Sequence, residues 1–392
     1  KAKLKEGNKE VDIKYKFHGT SISSLRGRNI SLRVRLDKDG PFLNKTREFN
    51  LIKIFFKSDE NIPTIIFNNY ANEIGLLSPI GGTTILKING VVVGFYYKQE
   101  RHGKEWFEKK QITNYSILKT NDDWDKKKYG HESDLDLNEK NIEVSGSGTN
   151  TEIAVGSIKN LFNAIKSKDI KKIFKLIDQD YFAKFLALSA LYNDNHPITG
   201  DNLKFIYDFT KGKFKVLYRQ ESGNIIPINA NIENFNNALF ESNISYKNAI
   251  SHDLFKLILS DKDFRFKRDA YLNQILNDKE NILKKAEETY NNAYKNLIYS
   301  DVKLRHQKYL RYNFFKVLNN NFDKTEKYLN YVKIYASNEK KENLSKLFLI
   351  NDSYIPHRLK TIYFGKEKIN FNDDKKYLLS SIIVKKDGND YP

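Results

Sequence analysis

"GTTILKINGVVVGFYYKQ" (82–99) is the stretch of this 392-residue chain that decides how the surrounding sequence folds. Two arms rich in β-branched and aromatic residues flank Asn89-Gly90, a dipeptide that tolerates the positive φ of a tight type I′ turn. The stretch therefore predicts a β-hairpin. Upstream, "KEVDIKYKF" (9–17) and "SLRVRL" (31–36) alternate charged and apolar side chains with period two, as half-buried antiparallel strands do. "NIPTIIFNNYANEIGL" (61–76) carries Ile and Leu on one stripe and stops at Gly75, which predicts a helix. The first 120 or so residues thus read as a sheet-rich lobe with one embedded helix.

Downstream, the charged segment "NDDWDKKKYGHESDLDLNEK" (121–140) reads as a linker or surface excursion, and "VSGSGTN" (144–150) continues it. A glycine-serine run can cradle phosphate. This one lacks the Lys-Ser/Thr ending and the preceding apolar strand of a phosphate loop. Helical spacing takes over at "SIKNLFNAIKSKDIKKIFKLI" (157–177) and "DQDYFAKFLALSALY" (178–192), with Asp178 and Asp180 supplying N-terminal charge. A polar loop follows, then "LKFIYDF" (203–209) and "KFKVLYR" (213–219), joined by Thr210-Lys211-Gly212 as a hairpin. From 232 to about 338 the pattern is helical again, and strand-like runs return from 345. The expected class is α+β. Its divisions are a sheet-rich lobe (1–125), a linker (126–155), a helical lobe carrying the polar loop and hairpin (156–340), and a β-like extension (341–392).

Composition bounds the function. A hydrophobic content of 40% with 13% aromatics excludes a disordered chain. The net charge of +18 is spread among interspersed acids, the pattern of a solvated face, and it leaves open an anionic partner such as nucleotide, acidic glycan or lipid. With no cysteine, disulfides, thiolate zinc sites and cysteine nucleophiles are excluded. No apolar stretch nears the roughly 20 residues of a membrane span. The chain has no methionine and opens at Lys1 without a signal-peptide core, so it reads as part of a longer protein, with an upstream anchor as an open expectation.

The polar loop concentrates the chemistry. Asp194, His196, Asp201 and Asn202 fall within nine residues, interrupted by Pro197 and Gly200. Hard Mg²⁺ takes oxygen ligands, and Glu221 in "RQES" offers a second source roughly 20 residues on, across the hairpin. The plain alternative is an Asx-rich turn whose side chains bond their own backbone. The histidines hold no i, i+4 pair, and no G-x-S-x-G elbow is present, which argues against zinc and serine hydrolases. "HQKYLRYNFFK" (306–316) interleaves basic and aromatic residues, but a helix with an aromatic core face accounts for it, and nucleic acid is not the expected partner.

Taken in order, "LRGRNISLRVRL", "REFNL", "NEIGLLSP", "LKINGVVVGFYYKQE", "NYSILK", "DYFAKFLALSALY", "FIYDFTKGKFKVL" and "ALFES" resemble the spore-coat-protein-H-like (CotH-like) atypical protein kinase family over roughly residues 1 to 340. The resemblance implies a bilobal protein-kinase-like fold. It also implies transfer of phosphate from Mg-ATP to Ser or Thr hydroxyls of a protein acceptor, in bacteria often at the cell envelope or outside the cytoplasm. Carried over by position, Arg33, with Arg28 nearby, would grip phosphates and Glu100 would lie toward the base. Asn202 with Glu221 would hold Mg²⁺, and Asp194, His196 or Asp201 would serve the acceptor. The family hairpin ends in a P-W-D-x-D type sequence, whereas this one ends "LYRQES", with Gln220, Glu221 and Ser222 in that neighbourhood. A kinase-like D-x-x-x-x-N spacing before Asn202 falls on Pro197. The alternative function is accordingly a pseudokinase-like scaffold or binding module that docks an anionic envelope polymer or partner protein.

Overall fold

The computed structural model describes residues 2–18, 30–37, 47–53, 61–120, 142–146, 151–198, 202–219, 225–242, 251–299, 304–331, 334–341, 344–351, 361–364, 367–370 and 382–385. The chain is α+β and divides into two compact units, Lys1–Lys324 and Thr325–Pro392.

In the first unit, strands β1 (Ala2–Glu6), β2 (Lys9–Phe17), β3 (Leu32–Leu36) and β4 (Glu48–Lys53) precede helix α1 (Asn61–Glu73). The expected hairpin follows as β5 (Gly81–Ile88) and β6 (Val91–Glu100). Its turn has φ of 50° at Asn89 and 82° at Gly90, the left-handed pair that the dipeptide is suited to. These six strands form one antiparallel sheet in the order β1-β2-β3-β4-β6-β5. Period-two alternation gives the sheet two unlike faces. Val11, Ile13, Val34, Leu36, Phe49, Leu51 and Tyr96 form the core cluster. Register puts Lys16 opposite Arg33, Arg33 opposite Asn50 and Asn50 opposite Gln99, so a polar row crosses the other face.

The sequence reading allowed one helix in this region. The structure adds a short second one, α2 (Lys104–Lys109), which buries Trp106 and Phe107. Strand β7 (Tyr115–Thr120) then pairs with β8 (Ile142–Gly146), which corrects the expectation of linker at the start of "VSGSGTN". Gly146 permits that pairing: a Cβ there would lie 2.3 Å from the Tyr115 carbonyl oxygen. Of the remainder of the expected linker, 126–141 and 147–150 lie outside the described residues, and 151–155 are the first residues of a helix rather than linker.

The single helix expected over 157–177 is two, α3 (Thr151–Lys166) and α4 (Ile170–Leu176). The chain breaks at Lys168, with φ of 55°, and Asp169 caps the new helix by accepting from Lys172 N at 2.9 Å. Helix α5 (Gln179–Tyr192) is capped in the same way, Asp178 accepting from Tyr181 N at 3.2 Å. It is buried nearly all round, which makes it the centre of the helical part. Strands β9 (Lys204–Asp208) and β10 (Lys213–Val216) form the second hairpin and complete a four-stranded sheet in the order β10-β9-β7-β8. Helices α6 (Phe235–Glu241), α7 (Ser251–Ser260), α8 (Lys262–Asn277), α9 (Lys279–Tyr294) and α10 (Leu304–Leu329) follow. Phe185 of α5 stacks on Phe255 of α7 at 5.9 Å, and α8 packs along α5.

In the second unit, β11 (Ile334–Lys341), β12 (Leu344–Asn351) and β15 (Ile382–Lys385) form an antiparallel sheet, and β13 (Thr361–Phe364) pairs with β14 (Glu367–Asn370). The strand-like ending is thus present, and it begins at Ile334 rather than after 340. Among the described residues, no helix is long and apolar enough to cross a membrane.

Candidate functional site: a cationic cavity between two sheets

A cavity of about 370 Å³ lies between the polar face of the six-stranded sheet and the four-stranded sheet. One wall comes from the polar row already described: Arg33 of β3, Asn50 of β4 and Gln99 of β6 line it, flanked by His18, Arg101 and His102. Asn50 and Gln99 are only 4% and 2% exposed, so amides occupy strand positions where burial would favour apolar residues. The other wall takes Ile117 from β7, Val144 and Ser145 from β8, and Lys204 and Arg219 from the two ends of the second hairpin. Ser145 belongs to the glycine-serine run that sequence spacing set aside as linker.

Backbone pairing brings Lys204 and Arg219 together. Leu217 N donates to Lys204 O at 2.9 Å, and Tyr218 N donates to Leu77 O at 2.8 Å. The Tyr181 hydroxyl secures the same seam, accepting from Leu77 N at 2.8 Å and donating to Val216 O at 2.6 Å. Arg219 is therefore delivered by a strand end tied both to the segment after α1 and to its own hairpin partner.

The electrostatics of the cavity are one-sided. Arg33, Arg101, Lys204 and Arg219 supply four positive side chains, and no carboxylate is among the described residues that line it. Arg101 is partly offset by Glu48, at 3.4 Å, a carboxylate shared with Arg35 at 3.1 Å. Arg33 has a buried Nε with no acceptor, Asn50 a buried Oδ1 with no donor, and His102 a buried Nδ1 with no partner, among the described residues. Burial, and then the Arg219 and Arg33 guanidiniums, push the His18 imidazole down to about 4. Burial, Arg219 and Lys204 hold His102 well below the usual histidine range. Both rings are therefore neutral at pH 7, and a concentrated positive field surrounds them.

Of the residues singled out in the sequence, Arg33 lines this cavity. Glu100 does not; it is held by Lys109 at 3.1 Å, and the next two residues, Arg101 and His102, line the cavity instead. Asp194 lies in the interior at 2% exposure, and its charge, after burial, helps raise the Tyr192 and Tyr218 phenols. Its neighbours are similarly turned inward. Asn193 takes the left-handed cap position of α5, with φ of 54°, and donates to Pro227 O at 3.1 Å. Asn195 Nδ2 donates to Phe240 O at 3.2 Å. The first half of the polar loop therefore does what an Asx-rich turn does. His196 begins a short 3₁₀ turn, and Asn202 is partly exposed two residues before Lys204. Arg28, Asp201 and Glu221, with Gln220 and Ser222, lie outside the described residues.

His18, Asn50, Gln99, Arg101, His102, Lys204 and Arg219 escaped sequence reasoning. For Asn50 a signal existed, an amide between Phe49 and Leu51 in "EFNLIK"; Gln99, between Lys98 and Glu100 in "FYYKQE", carried none. A larger, more open depression of about 660 Å³ lies on α9 and α10, where Arg311 is taken up by Glu287 at 2.5 Å and Asn291 at 3.1 Å. That stretch, the basic-aromatic one, packs Phe314 against Tyr290 as a helix seam.

No family model and no curated protein matches the chain.

The donor set fits a phosphate chain. Guanidinium groups bind phosphate oxygens through paired N–H donors, and a buried Arg33 Nε without an acceptor is the donor such an oxygen would satisfy. The donor set for a divalent metal is less developed: among the described residues no group of three His, Asp or Glu side chains is placed to hold an ion.

Proposed function

We propose that the chain is a kinase-like phosphotransferase of bilobal type, with the cavity between its two sheets as the seat of a nucleotide's phosphates. The observation that carries this reading is the cavity's lining: four cationic side chains and two neutral imidazoles around a space of about 370 Å³. That volume falls within the span of small-ligand sites, about 300–1,000 Å³, and favours a compact anion over a polymer lying on an open surface. Arg33, reached independently through the family resemblance and through the cavity, holds the phosphates, with Arg219 and Lys204 opposite.

In this reading the acceptor is a Ser or Thr hydroxyl. Its oxygen forms the new bond to the γ-phosphorus as the bond to the β-bridging oxygen breaks, and the nucleoside diphosphate leaves. The hydroxyl proton passes to a carboxylate of the polar loop. Asp201 is our assignment over Asp194, because Asp194 is buried among Tyr192 and Tyr218. Asn202 with Glu221 are the residues we assign to hold Mg²⁺, which when bound would supply charge neutralisation to the phosphates.

A second reading, a binding module for an anionic partner, is favoured by one observation: Asn193 and Asn195 are committed to backbone carbonyls rather than to a site. Incubation with γ-labelled ATP, Mg²⁺ and a mixed protein acceptor separates the two. Label in Ser or Thr that falls at least about tenfold in Asn202→Ala supports transfer. Wild-type-like labelling in that variant removes Asn202 from the site, and no labelling by a protein that still binds ATP leaves the binding module.

A further inference from the structure

Resting on the nucleotide reading above, we infer that Asn50 sets specificity: its amide reads a hydroxyl of the nucleotide's sugar while Arg33 beside it takes a phosphate oxygen. The two residues stand on adjacent strands, directly opposite each other in register. Opposed residues of an antiparallel pair have Cβ atoms about 5 Å apart. Arg33 Nε is a buried donor with no acceptor, and Asn50 Oδ1 is a buried acceptor with no donor, among the described residues. A donor and an acceptor are thus neighbours in one cavity wall and do not satisfy each other. Asn50 is only 4% exposed, so its amide is built into that wall rather than hung over the rim.

Leaving both atoms unpaired is a cost to folding, and a ligand that brings an anionic acceptor beside a neutral donor removes both costs together. A bare phosphate chain supplies only the first. Its ionised oxygens accept hydrogen bonds and leave Asn50 Oδ1 unmet. A sugar hydroxyl supplies the second, and because it also accepts, it serves the amide whichever end meets it. In a nucleotide the sugar hydroxyls are the donors nearest the phosphates, while the amine of the base lies at the far end of the molecule. The neutrality of the residue matters as well. An aspartate at this position would pair with Arg33 and withdraw it from phosphate, whereas asparagine offers an acceptor without a competing charge.

Titration calorimetry on the full chain, with Mg²⁺ present, compares ATP with 2′,3′-dideoxy-ATP, which keeps the base and the phosphates and lacks both hydroxyls. The parent should bind ATP at least about tenfold more tightly than the dideoxy nucleotide. In Asn50→Leu that preference should fall below about threefold, through weaker binding of ATP. Asn50→Ala is the second variant should Asn50→Leu fail to fold, and the comparison of the two ligands on the parent needs no variant. A parent preference below about tenfold overturns the inference and leaves the nucleotide reading standing. A preference of about threefold or more that survives in the variant overturns it too. The hydroxyl would then belong to another acceptor such as His102 Nδ1, which is likewise buried and without a hydrogen bond among the described residues. Failure of the parent to bind ATP removes both the inference and the nucleotide reading.

Discussion

Val34 and Arg33 are neighbours on β3, and they face opposite sides of the six-stranded sheet. Val34 is 2% exposed and packs with Phe49 and Leu51, so its contribution is the transfer of apolar surface out of water. Arg33 points into the cavity with an unpaired buried donor, which is a cost to folding. The same alternation separates Phe49 from Asn50 on β4 and Lys98 from Gln99 on β6. One face of the sheet spends its residues on stability; the other accepts a penalty where a ligand's charges would compensate it. A strand can do both because its side-chain period is two, and register then aligns each set across three strands.

The most severe way to break this contrast is Phe49→Ala on the apolar face. Loss of a core aromatic costs about 3–5 kcal/mol, and urea unfolding should report it; a cost below about 1 kcal/mol would mean the face is not a core. Next comes Gly81→Ala, at the end of the polar row opposite Gln99. A Cβ there would lie 2.2 Å from the Tyr97 ring and 2.9 Å from the Lys98 carbonyl oxygen. Overpacking of this kind costs about 1–3 kcal/mol. A neutral outcome in the same unfolding assay would show that the polar face tolerates repacking and is less tightly specified than its opposite.

A smaller effect concerns protons on the polar face. The folded-state pKa of His18, about 4, lies below its unfolded value near 6.5, and His102 is lowered likewise. The unfolded chain therefore binds more protons in that window, and stability present above pH 6.5 is lost as pH falls toward 4. A bound phosphate chain would raise both imidazoles and flatten the dependence. Urea midpoints between pH 7.5 and 5 should fall less steeply for His18→Gln than for the parent; identical slopes would mean that burial and the Arg219 and Arg33 guanidiniums do not depress His18.

Much of the fold was legible wherever a local rule was strong. Asn89-Gly90 demanded a tight turn, "SLRVRL" alternated cleanly, and Asp178 announced the start of α5. The failures have equally local causes. β8 was hidden because serine and glycine read as linker, and its pairing depends on the close approach to Tyr115 that only Gly146 allows. The break between α3 and α4 rests on a positive φ at Lys168, a residue type that carries no turn signal; the Asp169 cap beside it was the available clue. α2 is six residues long, too short for helical periodicity to show. At the site, Arg33 was singled out only through the family resemblance; strand alternation predicted its strand, and the structure places it among the residues that line the cavity. His18, Arg101, His102, Lys204 and Arg219 come from separate strand ends, and nothing in linear spacing states that register and the Tyr181 hydroxyl bring those ends to one cavity.

The central claim, that the polar face of the sheet holds a phosphate chain, is tested most directly by two neighbouring arginines. Arg33 and Arg35 share strand and face, but Arg35 is exposed and engaged by Glu48 at 3.1 Å, while Arg33 lines the cavity. ATP affinity, measured by calorimetry for Arg33→Gln and Arg35→Gln beside the parent, should fall about tenfold to a hundredfold in the first and less than about threefold in the second. Equal losses in the two variants, or undiminished binding in Arg33→Gln, would contradict the account.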